Sequence, residues 1–235
     1  MIAKKTIEDW NNSLKNESPK NVLSFFLNHF KDKIALSSSM GPEDQVLTEM
    51  AVAVNAKTKI FTLDTARLFP ETYDLIDRTS KKYKCPIKVY FPDAKDVEKM
   101  VASKGINLFF DSIENRKLCC SLRKLEPLAR ALQGLDAWFT GLRRDQSITR
   151  NDLQIVEWDE VNGLLKINPL INWSEQDVWN YIDQKNIPVS PLHKKGFASI
   201  GCQPCTRAIE EGEDVRAGRW WWENPETKEC GLHQK

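Results

Sequence analysis

The stretch KIALSSSMGPEDQVLTEMAVAVNAKTKIFTL, residues Lys33 to Leu63, decides the fold. Lys33 to Leu36 is a short apolar run that leads into Ser37-Ser38-Ser39. Glu43 to Val54 carries helical periodicity, and Lys59-Ile60-Phe61-Thr62-Leu63 is again rich in β-branched and aromatic residues. Strand, turn, helix and strand in that order predict two parallel strands joined by a crossover helix. In an open sheet of this kind, ligands are expected beyond the carboxyl ends of the strands.

The same alternation continues on both sides. Helices are expected over Thr6 to Leu14, from the cap Ser18-Pro19 onward, and over Pro70 to Lys82, Asp93 to Lys104 and Cys119-Cys120 to Leu132. Further strands are expected at Ile87 to Phe91 and Ala137 to Thr140. Leu153 to Trp158 and Leu164 to Ile167 flank the hairpin dipeptide Asn162-Gly163. Ser174 caps a last helix reaching about Tyr181. The expected class is α/β, with a doubly wound, mainly parallel sheet. Residues 1–205 read as one α/β domain. Residues 206–235, with three adjacent tryptophans and then Cys230-Gly231-Leu232-His233, read as a C-terminal tail.

Composition narrows the function. Hydrophobic residues make up 41% and charged residues 29%, which fits a globular protein with a proper core. A net charge of +1 gives no global field for nucleic acid or an anionic membrane, so neither partner is expected. Apolar runs are too short for a spanning helix, and Met1 to Lys5 lacks a signal-peptide core, so a cytoplasmic location is expected. Six cysteines then point to metal or redox chemistry rather than a disulfide framework.

The turn Ser38-Ser39-Met40-Gly41-Pro42-Glu43-Asp44 is a candidate anion site, with Ser38, Gly41, Glu43 and Asp44 as its residues. Small residues let backbone approach a phosphate, and the helix N-terminus favours negative charge. A serine-rich turn capped by Glu43 and Asp44 is the plainer reading. Leu63-Asp64-Thr65-Ala66 holds the matching position after the next strand, with Leu63 and Thr65 as candidate adenine contacts.

Cys119-Cys120 and the later Cys202-Gln203-Pro204-Cys205 form the strongest constellation. A Cys-x-x-Cys pair turns two thiolates toward one centre. Adjacent helical side chains diverge, so Cys119 and Cys120 share a centre only if it is large, which favours a 4Fe–4S cubane over one zinc ion. Zinc, a thioredoxin-like redox pair and buried structural cysteines remain alternatives.

Together, Cys119-Cys120-Ser121-Leu122-Arg123-Lys124, Gly141-Leu142-Arg143-Arg144-Asp145-Gln146-Ser147, Gly201-Cys202-Gln203-Pro204-Cys205 and Glu229-Cys230-Gly231-Leu232-His233 resemble the assimilatory adenylyl-sulfate reductases, relatives of the phosphoadenylyl-sulfate reductases. The resemblance spans about Lys33 to His233. It implies a Rossmann-like fold of the adenine-nucleotide hydrolase type and the cluster-bearing branch, whose substrate lacks a 3′-phosphate. It also implies one 4Fe–4S cluster per chain on Cys119, Cys120, Cys202 and Cys205, with thioredoxin (or glutaredoxin) as electron donor. Sulfite and AMP are the implied products; reduction of the 3′-phosphorylated nucleotide, alone or in addition, is the alternative. A homo-oligomer is expected. Met40 and Ala66 depart from the family, where a second serine and a glycine are common.

Within that resemblance Cys230 is the nucleophile on sulfur, since the reaction requires a soft thiolate. Lys124, Arg150, Arg216, Arg219 and His233 would hold the phosphosulfate. With four cysteines committed to a cluster, only Cys85 remains, and it reads as a packing residue. The thiol that resolves the intermediate must then come from a partner. Arg143 and Arg144 read either as ligand contacts or as solvated charges, and Trp220-Trp221-Trp222 as packing that docks the tail.

Overall fold

The computed structural model describes residues 3–146, 152–224 and 231. Its chain divides into two compact units, residues Met1–Phe61, Leu75–Lys88 and Gly134–Val189 in one and Thr62–Asp74, Val89–Gln133 and Ser190–Lys235 in the other. No helix among the described residues is long and apolar enough to cross a membrane.

The helices are α1 (Lys4–Leu14), α2 (Pro19–Phe30), α3 (Pro42–Val54), α4 (Pro70–Tyr83), α5 (Ala94–Lys104), α6 (Ile113–Cys120), α7 (Glu126–Leu132) and α8 (Glu175–Lys185). The strands are β1 (Ile34–Ser37), β2 (Lys59–Leu63), β3 (Ile87–Tyr90), β4 (Ala137–Phe139), β5 (Val156–Asp159) and β6 (Leu164–Ile167). They form one sheet in the order β3-β2-β1-β4-β6-β5. β1 pairs in parallel with β2 and with β4, β4 pairs in parallel with β6, and the β5–β6 hairpin is antiparallel. The mainly parallel α/β sheet is as the alternation of elements predicts.

In the first unit, β1 and β4 are buried along nearly their whole length, as a central parallel strand requires. Against them pack Val22, Leu23, Phe26, Leu27 and Phe30, the single apolar face of α2. Ser18 caps that helix by accepting from the Asn21 amide, and Pro19 fits its first turn, where an N–H would be unpartnered anyway. The edge strand β5 is shielded by α1: the Asn11 amide both donates to the Val156 carbonyl and accepts from its N–H, each at 2.9 Å. Gly163 closes the hairpin at φ 68°, in the left-handed region that the Asn-Gly pair anticipates. Ser174 and Asp177 form a reciprocal capping box at the start of α8.

The second unit has a smaller core of Met100, Leu108, Phe109, Cys205 and Trp220. Leu118, Cys119, Cys120 and Cys202 pack around it.

Candidate functional site

In the first unit the strand order reverses between β1 and β4, which is where an open α/β sheet binds ligands. The turn after β1 and the segment after β4 meet there. Asp44 accepts hydrogen bonds at 2.6 Å from both the amide and the hydroxyl of Ser39, and the Gly141 amide also reaches it. A Cβ on Gly141 would lie 2.4 Å from a carboxylate oxygen of Asp44 and 2.9 Å from the Glu43 Cβ, so only glycine fits at that point. Glu43 accepts from Arg143 Nε at 3.0 Å and from Gln146 Nε2 at 2.9 Å. Arg143 is buried, so the structure makes it a brace for Glu43 rather than a solvated charge.

The Ser39 amide is committed to Asp44, whereas those of Met40 and Gly41 rest on the Ser38 and Ser39 hydroxyls at 3.2 and 3.3 Å. Those two bonds are long, so an anion could displace the hydroxyls at small cost. Met40 adopts φ 64°, the conformation in which a tight turn can bring successive amides to one side. Burial raises the Asp44 carboxyl to about 6, only partly offset by the Ser39 hydrogen bonds.

The second unit gathers Cys119, Cys120, Cys202 and Cys205 around one cavity. α6 carries the first pair and ends in a wide turn over Ser121–Leu125, where the Glu126 amide bonds back five residues to Ser121. Pro127 gives a cause: it has no N–H, and its ring would strike the carbonyl four residues earlier in a regular helix. Widening the preceding turn relieves that clash, and such turns recur at functional sites. Cys202 and Cys205 sit on a single short turn closed by the Cys205 amide on the Cys202 carbonyl at 2.9 Å. Thr65 places its hydroxyl 3.2 Å from the Cys202 sulfur.

Arg67, Arg116, Arg123, Lys124 and Arg219 line the same cavity, with no carboxylate or imidazole lining it among the described residues. Arg116 shares the cavity wall with Cys120, and the charge of Arg123 acts on Cys119. Burial pushes the Cys205 thiol up to about 12, with Cys202 and Cys120 adding repulsion, and burial likewise raises Cys119 despite Arg123 beside it. Metal ligation of Cys119 and Cys205 would offset that burial cost.

The donor set fits an iron–sulfur cubane. It offers four sulfurs, and three buried N–H donors on the same cavity wall, Arg123 Nε, Arg219 Nε and Trp220 Nε1, have no hydrogen-bond partner among the described residues. An anionic cluster supplies the acceptors that such donors lack. No three His, Cys, Asp or Glu side chains among the described residues converge on a point that would hold a single ion.

The residues singled out from sequence fall as follows. Ser38, Gly41, Glu43 and Asp44 come together in the first unit. Leu63, Thr65, Lys124, Arg216, Arg219 and the four cavity cysteines belong to the second. Lys124 and Arg219 line the cavity; Arg216 lies on the adjoining segment, its amide on Asp214. Arg150, Cys230 and His233 lie outside the described residues. Cys85 is buried in the core of the first unit, its sulfur 3.6 Å from the Thr58 carbonyl. Sequence reasoning passed over Arg67, Arg116 and Arg123 as cavity residues. For Arg116 a signal existed: it precedes Cys120 by one helical turn, the spacing at which side chains meet.

Residues 33–208 match the phosphoadenosine phosphosulfate reductase domain. The adenosine 5′-phosphosulfate reductase of Allochromatium vinosum is 53% identical over 204 residues, covering 87% of this chain and 80% of that protein. The enzyme of the same name from Burkholderia cepacia is 50% identical, over 86% of this chain and 81% of that protein. Among solved structures, the phosphoadenylyl-sulfate reductase of Candida auris in its phosphate complex superposes with a TM-score of 0.76 at 28% identity, over 89% of this chain and 98% of that one. Yeast FAD synthetase, 17% identical with a TM-score of 0.57 over 88% of this chain and 70% of its own, shares the fold alone. With its parallel sheet, its braced turn at the strand-order reversal and its four-cysteine cavity, the chain belongs to the phosphoadenosine phosphosulfate reductase family.

Proposed function

We propose that this protein reduces adenosine 5′-phosphosulfate to sulfite and AMP, with thioredoxin or a similar dithiol protein as reductant and a 4Fe–4S cluster on Cys119, Cys120, Cys202 and Cys205. The observation that carries the reading is the four-cysteine cavity rimmed by cations, in a chain about half identical to proteins named for this reaction. The cluster, when bound, supplies a compact anionic centre that can fix the surrounding arginines.

The chain's own groups have distinct tasks. The Cys230 thiolate attacks the sulfur of the phosphosulfate, the bridging S–O bond breaks, and AMP leaves with that bonding pair on its phosphate oxygen. Arginine forks suit the charge that grows on the departing phosphate, and Lys124 and Arg219 are the proposed described contacts, with Arg150, Arg216 and His233 assigned by resemblance. A partner thiolate then attacks the Cys230 sulfur, sulfite departs, and a second partner thiol resolves the mixed disulfide. Two thiols are oxidised for each sulfur reduced. Cys85 is buried in a hydrophobic core, which supports an external source for both thiols. Keeping them reduced is a cytoplasmic condition.

Mass spectrometry tests the reading. Substrate without reductant should add one sulfonate, about 80 Da, to the Cys230 peptide through thiolate attack, and reduced thioredoxin should remove it with release of sulfite. An adduct on Cys85, or none, would refute the nucleophile. A higher kcat/KM for the 3′-phosphorylated nucleotide would reverse the substrate assignment.

A further inference from the structure

Residues 216–224 form a strap in the second unit whose fastenings are concentrated on the cluster motif. The Trp220 amide bonds the Cys205 carbonyl at 3.2 Å, and Thr206 and Arg219 form a backbone bridge. The Arg219 guanidinium lies where a Cβ on Gly201 would be, 2.3 Å from that position, so it rests flat against the backbone just before Cys202. The Arg207 amide takes the Gly218 carbonyl at 3.0 Å.

One further fastening runs to α6. Arg116 grips Glu223 with two parallel bonds, Nε to Oε1 at 2.7 Å and Nη2 to Oε2 at 2.9 Å, and both side chains are almost fully buried, at 1% and 3% exposure. The same guanidinium lines the cavity together with Cys120 and stands 4.8 Å from the centroid of the Trp220 ring, with Arg219 at 4.7 Å. Trp220 meanwhile holds φ 42°, a left-handed backbone that a bulky aromatic adopts only when its surroundings impose it. A buried two-pronged pair, two cations on one indole and a strained residue at their centre form a single over-determined junction.

We propose that Arg116 and Glu223 are positioning residues that make the strap and the cluster mutually dependent, with Glu223 aiming Arg116 at the ligand Cys120. The physical reason is where the fastenings lie. One end of the junction is on α6 and the other on the Gly201–Cys205 loop, and a centre ligated by all four cysteines clamps those segments together. With the clamp, the strap meets a fixed surface; without it, the segments carrying Cys120 and Cys205 can separate and the strained Trp220 turn relaxes. Coupling of this kind is reciprocal, so a fixed strap also slows cluster loss. The inference rests on the cluster assignment proposed above.

Hydrogen exchange of the unmutated protein, holo and after anaerobic chelator treatment, tests the first half. Amides of residues 219–224 should exchange about tenfold faster after stripping, as local opening predicts, while α2 in the first unit stays unchanged. Equal exchange of the strap in both states overturns the proposal. The second half is read from the loss of visible absorbance to a chelator. Glu223→Gln should lose the cluster about fivefold faster than the unmutated protein and Glu223→Asp, which keeps the charge, by less. Glu213→Gln, which cuts the more exposed Arg207–Glu213 pair of the same segment, should match the unmutated protein within about twofold. A Glu223→Gln rate equal to that of Glu213→Gln overturns it. If Glu223→Gln does not fold, the exchange experiment on the unmutated protein decides alone. Colourless, iron-free unmutated protein would instead sink the cluster assignment, a different failure from unchanged strap exchange in brown protein.

Discussion

Asp44 gives a pH dependence of stability that can be worked through from the structure. Its carboxylate is buried, and burial lifts its pKa from 3.8 to about 6, against the lowering effect of the Ser39 bonds. The folded state therefore holds this proton more tightly than the unfolded chain. Stability contributed by the protonated form is fully present below 3.8 and is lost as pH rises through about 6. A rise from 3.8 to about 6 corresponds to about 3 kcal/mol over the whole range, and roughly 1.4 kcal/mol of it falls between pH 5 and pH 7.5. Asp44→Asn removes the titration while keeping the shape and one acceptor for Ser39. Anaerobic urea unfolding of both proteins at pH 5, 6 and 7.5 isolates the effect as their difference. The unmutated protein should lose about 1.4 kcal/mol relative to Asp44→Asn across that interval. A constant difference would show that the carboxyl is not desolvated, and a difference of opposite sign would show that its charged form is the stabilised one.

Three further outcomes follow from the two units. Cys202→Ser should lower iron and acid-labile sulfide from about four each per chain toward none, because a neutral hydroxyl replaces a thiolate ligand; elemental analysis of anaerobic protein checks this. Arg219→Lys should reduce kcat/KM by at least about tenfold in steady-state assays, since a point charge cannot copy a flat fork resting on Gly201 and Trp220. Ala66→Gly should stabilise the protein by about 0.5–1 kcal/mol in chemical denaturation, because Ala66 sits at φ 58°, where the left-handed penalty exceeds the entropy cost of glycine.

The departures noted in sequence acquire physical meaning in this way. Ala66 occupies a left-handed position that glycine would fill without strain, and it is held there by the Asp64 carboxylate, which accepts from its amide at 2.7 Å. Met40, the other departure, adopts φ 64° for the same local reason, the tightness of the turn. Neither residue type announces its backbone angle, so the strain was not legible before the fold.

What the sequence determined by itself was whatever depends on neighbours along the chain. The alternation of short apolar runs with helical patterns fixed strand and helix order, since periodicity is local, and Ser18-Pro19, Ser174 and Asn162-Gly163 marked boundaries where the structure has them. The spacing of Cys119-Cys120 and Cys202-x-x-Cys205 pointed to one shared centre, because few other uses require it. Only the tertiary structure decided which charges those elements carry to one place. Arg143 was ambiguous until burial paired it with Glu43, 100 residues away in sequence. Arg116 was unremarked until Glu223, 107 residues away, closed on it. Such pairs form because a buried charge must find a partner, and which partner it finds is set by packing that no local pattern encodes.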